Sequence, residues 1–166
     1  MRDLINQTRL GIRSNLYYLS LYGALALPDI CGALSSANGQ ASGEKYKKWF
    51  DKYVGEKYEG FLDGEDCYFF RCSLLHQGSS QHPKNTYGRY IFIEPSASGG
   101  NIFHCNVLND ALNIDVRVFC EDILAGAETW LAEAEKDEQF VINFSKFMRR
   151  YENGLAPYIV GLPVIS

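Results

Sequence analysis

The chain has 166 residues, 46% hydrophobic and 14% aromatic, enough for one domain with a core of its own. No apolar run reaches the eighteen or so residues a membrane helix needs, and the N-terminus opens with charged and amide side chains rather than a leader core, so a cytoplasmic protein is expected. A formal charge of -4 excludes the broadly basic footprint of a typical nucleic-acid binder and leaves only a local one.

The elements are predicted to be mainly α. Residues 3 to 27 read as one long helix, with Ile5, Ile12, Leu16, Leu19, Gly23 and Ala26 at three- and four-residue steps and Tyr17, Tyr18, Leu21, Tyr22 and Leu25 on its other faces. Such a helix is buried on more than one side. Pro28-Asp29 fits the opening of a short second helix to about Leu34. A polar, Gly-rich connection from Ser35 to Gly43 follows, then a helix from Glu44 to Val54 with Tyr46, Trp49, Phe50 and Tyr53 inward. Asp63-Gly64-Glu65-Asp66 supplies an N-cap and acids for the first turn of a helix from 64 to 76, and Gly78 provides its left-handed end.

Residues 78 to 85 are a loop by every local signal. Arg89 to Glu94 and Ile102 to Val107 look like two strands of a hairpin, inserted at about 89–107 and joined by the turn-rich segment 95–100. In the second strand Phe103, Cys105 and Val107 share one face, which turns His104 away from the better apolar side. Asp115 can cap an amphipathic helix carrying Val116, Phe119, Cys120, Ile123, Leu124, Ala127, Trp130 and Leu131 to about Ala134. A last helix carries Phe140, Val141, Phe144, Phe147, Met148 and Tyr151, and stops before Gly154.

Five cysteines without a C-x-x-C pair predict reduced core thiols rather than a zinc site or a disulfide framework. Asp63, Glu65 and Asp66 are accounted for by the helix start, and no P-loop or dinucleotide fingerprint occurs, so neither a metal nor a cofactor is expected.

Chemistry centres on Arg71-Cys72-Ser73-Leu74-Leu75-His76. A histidine moves protons at neutral pH, and an arginine offers a permanent charge with a fork of donors that matches phosphate oxygens. Together they suit cleavage of a phosphodiester without a metal. Five helical residues turn through about 140° and rise about 7.5 Å, so Arg71 and His76 do not share a stripe. A joint site is expected to need an opened last turn or a second chain.

Around this pair, Ser73 is a polar helper within reach, and His82 on the following loop is either a surface histidine or a second proton carrier or substrate contact; Ser73, His82 and Lys84 are the candidate substrate-binding residues. Lys84 and Arg89, with Lys45, Lys47, Lys48, Lys52 and Lys57 upstream, form either a basic rim or a solvated face neutralised by Glu44, Asp51, Glu56 and Glu59. Tyr17, Tyr18 and Tyr22 either pack in the core or stack bases beside the site.

An R-x4-H motif at the end of an internal helix, followed by a Gly-containing loop, in a chain of five or six helices, resembles the HEPN superfamily, whose motif is R-x4-6-H. The likeness of architecture runs over roughly residues 3 to 152, less the hairpin. The resemblance implies a helical bundle and a metal-independent endoribonuclease, as a toxin or anti-phage effector with a possible antitoxin partner. It also implies a homodimer in which two copies of Arg71 and His76 meet across a cleft. Attack of a 2′-hydroxyl on its own phosphate needs a base, an acid and positive charge, which a twofold dimer supplies in duplicate. In many active members the residue after the arginine is Asn, Asp or His; here it is Cys72. A noncatalytic HEPN-like module that binds a nucleotide, RNA or a protein is the alternative.

Overall fold

The computed structural model describes residues 1–95 and 102–166. Among them six α-helices carry most of the chain: α1 (Arg2–Arg13), α2 (Tyr17–Leu34), α3 (Gly43–Tyr53), α4 (Gly64–Gln77), α5 (Val116–Ala134) and α6 (Glu138–Phe144). None is long and apolar enough to cross a membrane.

The predicted helix over 3–27 is two helices. The chain breaks at Ser14–Leu16, where Asn15 takes φ 59°, a left-handed conformation that asparagine tolerates better than most residues. The apolar period runs across this break, which is why the sequence reads as continuous. α1 and α2 fold back on one another as an αα-hairpin. Their approach is close because Gly11 faces Ser20 and Gly23 faces Thr8, where an added Cβ would come within 2.6 Å and 2.9 Å of a hydroxyl oxygen.

α2 then continues through Pro28 instead of starting there. Proline removes one helical N–H bond, a loss this helix absorbs within its packing, for Ala24, Leu25, Leu27 and Cys31 are fully buried around it. As expected of a central helix, α2 touches α1, α3, α4, α5 and α6. Its C-terminal carbonyls are met from α6: the Asn143 amide donates to the oxygens of Ala33 (3.3 Å), Leu34 (2.9 Å) and Ser36 (2.8 Å).

The caps of α4 and α5 are the expected ones, and α3 is capped by Ser42 from within the predicted connection. Ser42 accepts from the Lys45 amide at 3.4 Å, Asp63 from Asp66 at 2.8 Å, and Asp115 from Arg117 and Val118 at 2.9 Å and 3.1 Å. α4 ends at Gly78, φ 64°, with the Gly78 and Ser79 amides returning to the carbonyls of Leu74 and Ser73.

The predicted hairpin is a different object. β1 (Arg89–Ile93) lies parallel to β3 (Ala111–Asp115), and β2 (Asn106–Leu108) forms the antiparallel hairpin with β3 instead. The turn is Asn109-Asp110, both at positive φ, the pairing that tight hairpins prefer. The expected turn at 95–100 lies, from residue 96 on, outside the described residues. Tyr90 and Phe92 of β1 pack on Phe70 of α4, and Phe92 also on Phe119 of α5, so the small sheet closes one end of the bundle.

The alternation expected around His104 is absent, because 102–105 are not strand: Ile102, Phe103 and Val107 are exposed, Cys105 packs on the core, and His104 is half-buried, edge-on to Tyr58 at 5.2 Å, with Nδ1 buried and unpartnered. Burial lowers its pKa, against the pull of Asp122 and Asp115. The unfolded chain therefore binds a proton first, and stability declines as pH falls below the ordinary histidine value of about 6.5. His104→Phe is expected to flatten that decline; melting curves at about pH 5 and about pH 7 check it. An unchanged pH dependence would place the responsible group elsewhere.

The last predicted helix stops early. α6 ends at Phe144, and the stacked rings of Phe140, Phe144 and Phe147 finish the core contact. Residues 149–166 then fold back as two short ladders, β4 (Arg150–Tyr151) with β7 (Val164–Ile165) and β5 (Gly154–Leu155) with β6 (Ile159–Val160). The β-branched run at 159–165 draws 150–155 into extended pairing, which overrides the helical spacing of Met148 and Tyr151.

Candidate functional site

Arg71 and His76 meet within one chain. α4 stays helical through Gln77, and the arginine side chain spans the offset instead: its Nη1 lies 3.1 Å from His76 Nε2. Neither an opened turn nor a second chain is needed for that contact. A guanidinium has donors only, so Nε2 accepts and the imidazole in this arrangement is neutral, with its proton on Nδ1.

Beneath them, Asp29 of α2 forms an ion pair with Arg71 Nη2. Both are mostly enclosed, with side chains 14% and 18% exposed. Burial raises the Asp29 carboxyl above its ordinary value, against the opposing pull of Arg71. Burial likewise works against the charge on Arg71, but Asp29 and Cys72 outweigh it and raise the guanidinium further. Asp29 was read from the sequence only as a helix opening. The available signal was its isolation, since it is the one charged residue in the eighteen of α2. An acid on a helix otherwise apolar all round must find a partner or stay neutral.

Cys72 Sγ is 3.7 Å from Arg71 Nη1, and the thiol also bonds Tyr68, raising that phenol's pKa. Tyr22 of α2 donates to the Leu74 carbonyl at 3.2 Å, which ties α2 to the last turn of α4. Tyr18 leans on Tyr22 at 5.1 Å between ring centroids and is 66% exposed. Of the two readings for the tyrosines, Tyr17 and Tyr22 pack against the core, and Tyr18 presents a ring to solvent.

The other expected site residues are placed apart from the pair. Ser73 is 1% exposed, with its hydroxyl enclosed and unpartnered, so it offers nothing at the surface. His82 stacks on Phe69 at 4.7 Å, with ring planes 5° apart, and Lys84 lies 5.2 Å from the same ring. Phe69 and His76 are seven residues apart, about 10 Å along the helix. His82 and Lys84 thus gather with Lys47 around Phe69 of α4, rather than joining the Arg71–His76 contact.

A larger cleft of about 650 Å³ opens near the start of α4. Asp51, Glu56, Glu59, Asp63 and Asp66 line it, and no cation does. Its charge repels a phosphate, which makes Arg71 and His76 the better candidate despite their shallower setting. Among the described residues no group of three or more His, Cys, Asp or Glu side chains could hold a metal ion.

Comparison with protein-family models, curated proteins and solved structures found no match for this chain. What it can do is therefore argued from the site alone.

Proposed function

We propose that the chain is a metal-independent endoribonuclease of HEPN type, cleaving RNA at Arg71 and His76. The observation that supports this best is the 3.1 Å contact from a guanidinium to the lone pair of a neutral imidazole. In that state the base is ready and covered by the group that binds the phosphate. When a phosphodiester draws the Arg71 donors, Nε2 is released to take the proton of the 2′-hydroxyl, and the guanidinium meets the charge developing on phosphorus.

The leaving 5′-oxygen needs an acid. One chain supplies one such histidine at the site, so a homodimer bringing a second His76 to the same phosphate completes the proposal. An antitoxin that covers the site would belong to the same cytoplasmic role.

A noncatalytic module binding RNA, a nucleotide or a protein is the second reading, and one observation favours it. Arg71 pairs with Asp29 and His76 with Arg71, so each has a partner without a substrate, although Arg71 Nε is buried with none. The test is incubation of purified protein with mixed cellular RNA in EDTA. Fragments ending in 2′,3′-cyclic phosphate and beginning with 5′-hydroxyl are expected. Intact RNA from folded protein would turn the assignment to the binding module.

A further inference from the structure

The lysines of α3 were open to two readings from sequence, and the fold separates them. Lys47, Lys52 and Lys57 are paired with acids, whereas Lys45 and Lys48 make no ion pair among the described residues. Glu44 pairs with Lys47 at 3.6 Å, and Asp51, Glu56 and Glu59 turn to the acidic cleft. Lys45, Lys48 and Lys52 instead line a different groove of about 270 Å³ between α3 and the end of α2, and no carboxylate lines it. α3 thus carries its negative charge on one side and these three lysines on another.

The groove and the candidate site share α2. Asp29, which holds Arg71, lies one helical turn before Gly32 on α2. A Cβ on Gly32 would sit 3.0 Å from the Cβ of Lys45, so Lys45 stands beside the next turn. Lys48 and Lys52 follow along α3, the last about 10 Å beyond Lys45 along the helix axis.

The lysines are available to a ligand. Lys48 is exposed and makes no ion pair or hydrogen bond among the described residues. Lys45 donates to the Gln40 carbonyl at 2.6 Å and to Asn38 Oδ1 at 3.4 Å, leaving a third donor on the ammonium. Lys52 pairs with Glu133 at 3.0 Å, but both side chains are more than half exposed, a pairing that salt and competing anions readily displace. Trp49 also lines the groove, 5% exposed, and its indole N–H has no acceptor.

We infer that Lys45, Lys48 and Lys52 form a track for the phosphates of single-stranded RNA running from Arg71 along the α2–α3 groove. This rests on the ribonuclease reading for the identity of its ligand. The contacts are to the backbone, so the track carries affinity and register but no sequence preference. It also reconciles an acidic protein with an anionic substrate, because Asp51, Glu56, Glu59, Asp63 and Asp66 gather in a separate cleft and no carboxylate lines the groove.

The test separates binding from cleavage by using a labelled RNA oligonucleotide 2′-O-methylated throughout, which has no 2′-hydroxyl to attack. Affinity is measured over a salt series for the parent, for Lys45→Gln/Lys48→Gln/Lys52→Gln, and for Lys57→Gln/Lys136→Gln/Lys146→Gln, which changes the net charge equally. Three lost phosphate contacts are expected to lower the slope of log affinity against log salt by about 2, with about tenfold or greater loss of affinity at physiological salt. Lys48→Gln alone, which disturbs no internal bond, is expected to lower the slope by about 0.7.

Parent-like binding by the track variants, or an equal loss in the control triple, would overturn the track. Lysine-dependent binding combined with intact unmodified RNA would keep the track and sink the nuclease reading. A parent that binds no RNA would sink both.

Discussion

Alanine at position 76 is expected to slow RNA cleavage about 10²- to 10⁴-fold, the contribution of a positioned proton-transfer group, with stability within about 0.5 kcal/mol of the parent. His76 is exposed in the last turn of α4, and the one hydrogen bond of its side chain is to Arg71. Its removal leaves no cavity. Arg71→Ala should differ in a way that separates the two roles. It loses the phosphate donors and also strands Asp29, an enclosed carboxylate, so a stability loss of about 1–3 kcal/mol accompanies the loss of cleavage. Arg71→Lys keeps a cation near Asp29 but cannot span Asp29 and His76 with one planar fork. It is expected to recover most of the stability and little of the rate. Cleavage by the His76→Ala protein at the parent rate would remove this histidine from the chemistry.

The fold was legible where a local signal acts alone. Asp63, Asp115 and Gly78 announce helix ends through hydrogen bonds formed within four residues, and α4 and α5 lie where those residues put them. Errors fall where two local signals compete or where a distant partner decides. At Ser14–Leu16 an apolar stripe outvoted two weak helix formers, yet the chain turns there. At Pro28 a start signal was overridden by a helix already packed on its neighbours. The strand pairing differs because the hairpin turn is at Asn109-Asp110, whose signal is two residues long and is outweighed in the sequence by the longer Gly-rich segment. The final helix is cut short by strand pairing, Arg150 with Ile165 and Tyr151 with Val164, which helical periodicity does not register.

The site was legible in its two named residues and not in its geometry. Spacing on an ideal helix argues that Arg71 and His76 diverge, and their Cα positions do; the contact is made by the reach of the arginine side chain. What steers that side chain is Asp29, forty-two residues earlier and on another helix. No pattern local to the motif contains that information. The lone acid within α2 was the clue, and its partner follows only once α2 and α4 are known to pack.

Gly64→Ala is expected to be the most destabilising single methyl in this region, because α3 and α4 cross there backbone to backbone. A Cβ on Gly64 would lie 2.3 Å from the Lys47 carbonyl oxygen and 2.8 Å from the Lys47 carbonyl carbon and Cα. Those atoms belong to a helix and cannot rotate away as a side chain would. The Gly64 amide also donates to Asp51 at 2.7 Å, which anchors the start of α4 to α3 at the same point. Overpacking of this kind costs about 3 kcal/mol, a fall in Tm of about 6–12 °C for a domain of this size. The displaced helix is the one that carries Arg71 and His76, while Asp29 stays on α2. A shift of about 1 Å between them is enough to lower cleavage about 10²-fold. Gly55→Ala is the control, since its nearest neighbour would be at an ordinary 3.6 Å. Near-parent melting is expected for Gly55→Ala, and near-parent melting for Gly64→Ala as well would mean that the crossing of α3 and α4 yields without cost and does not set the site.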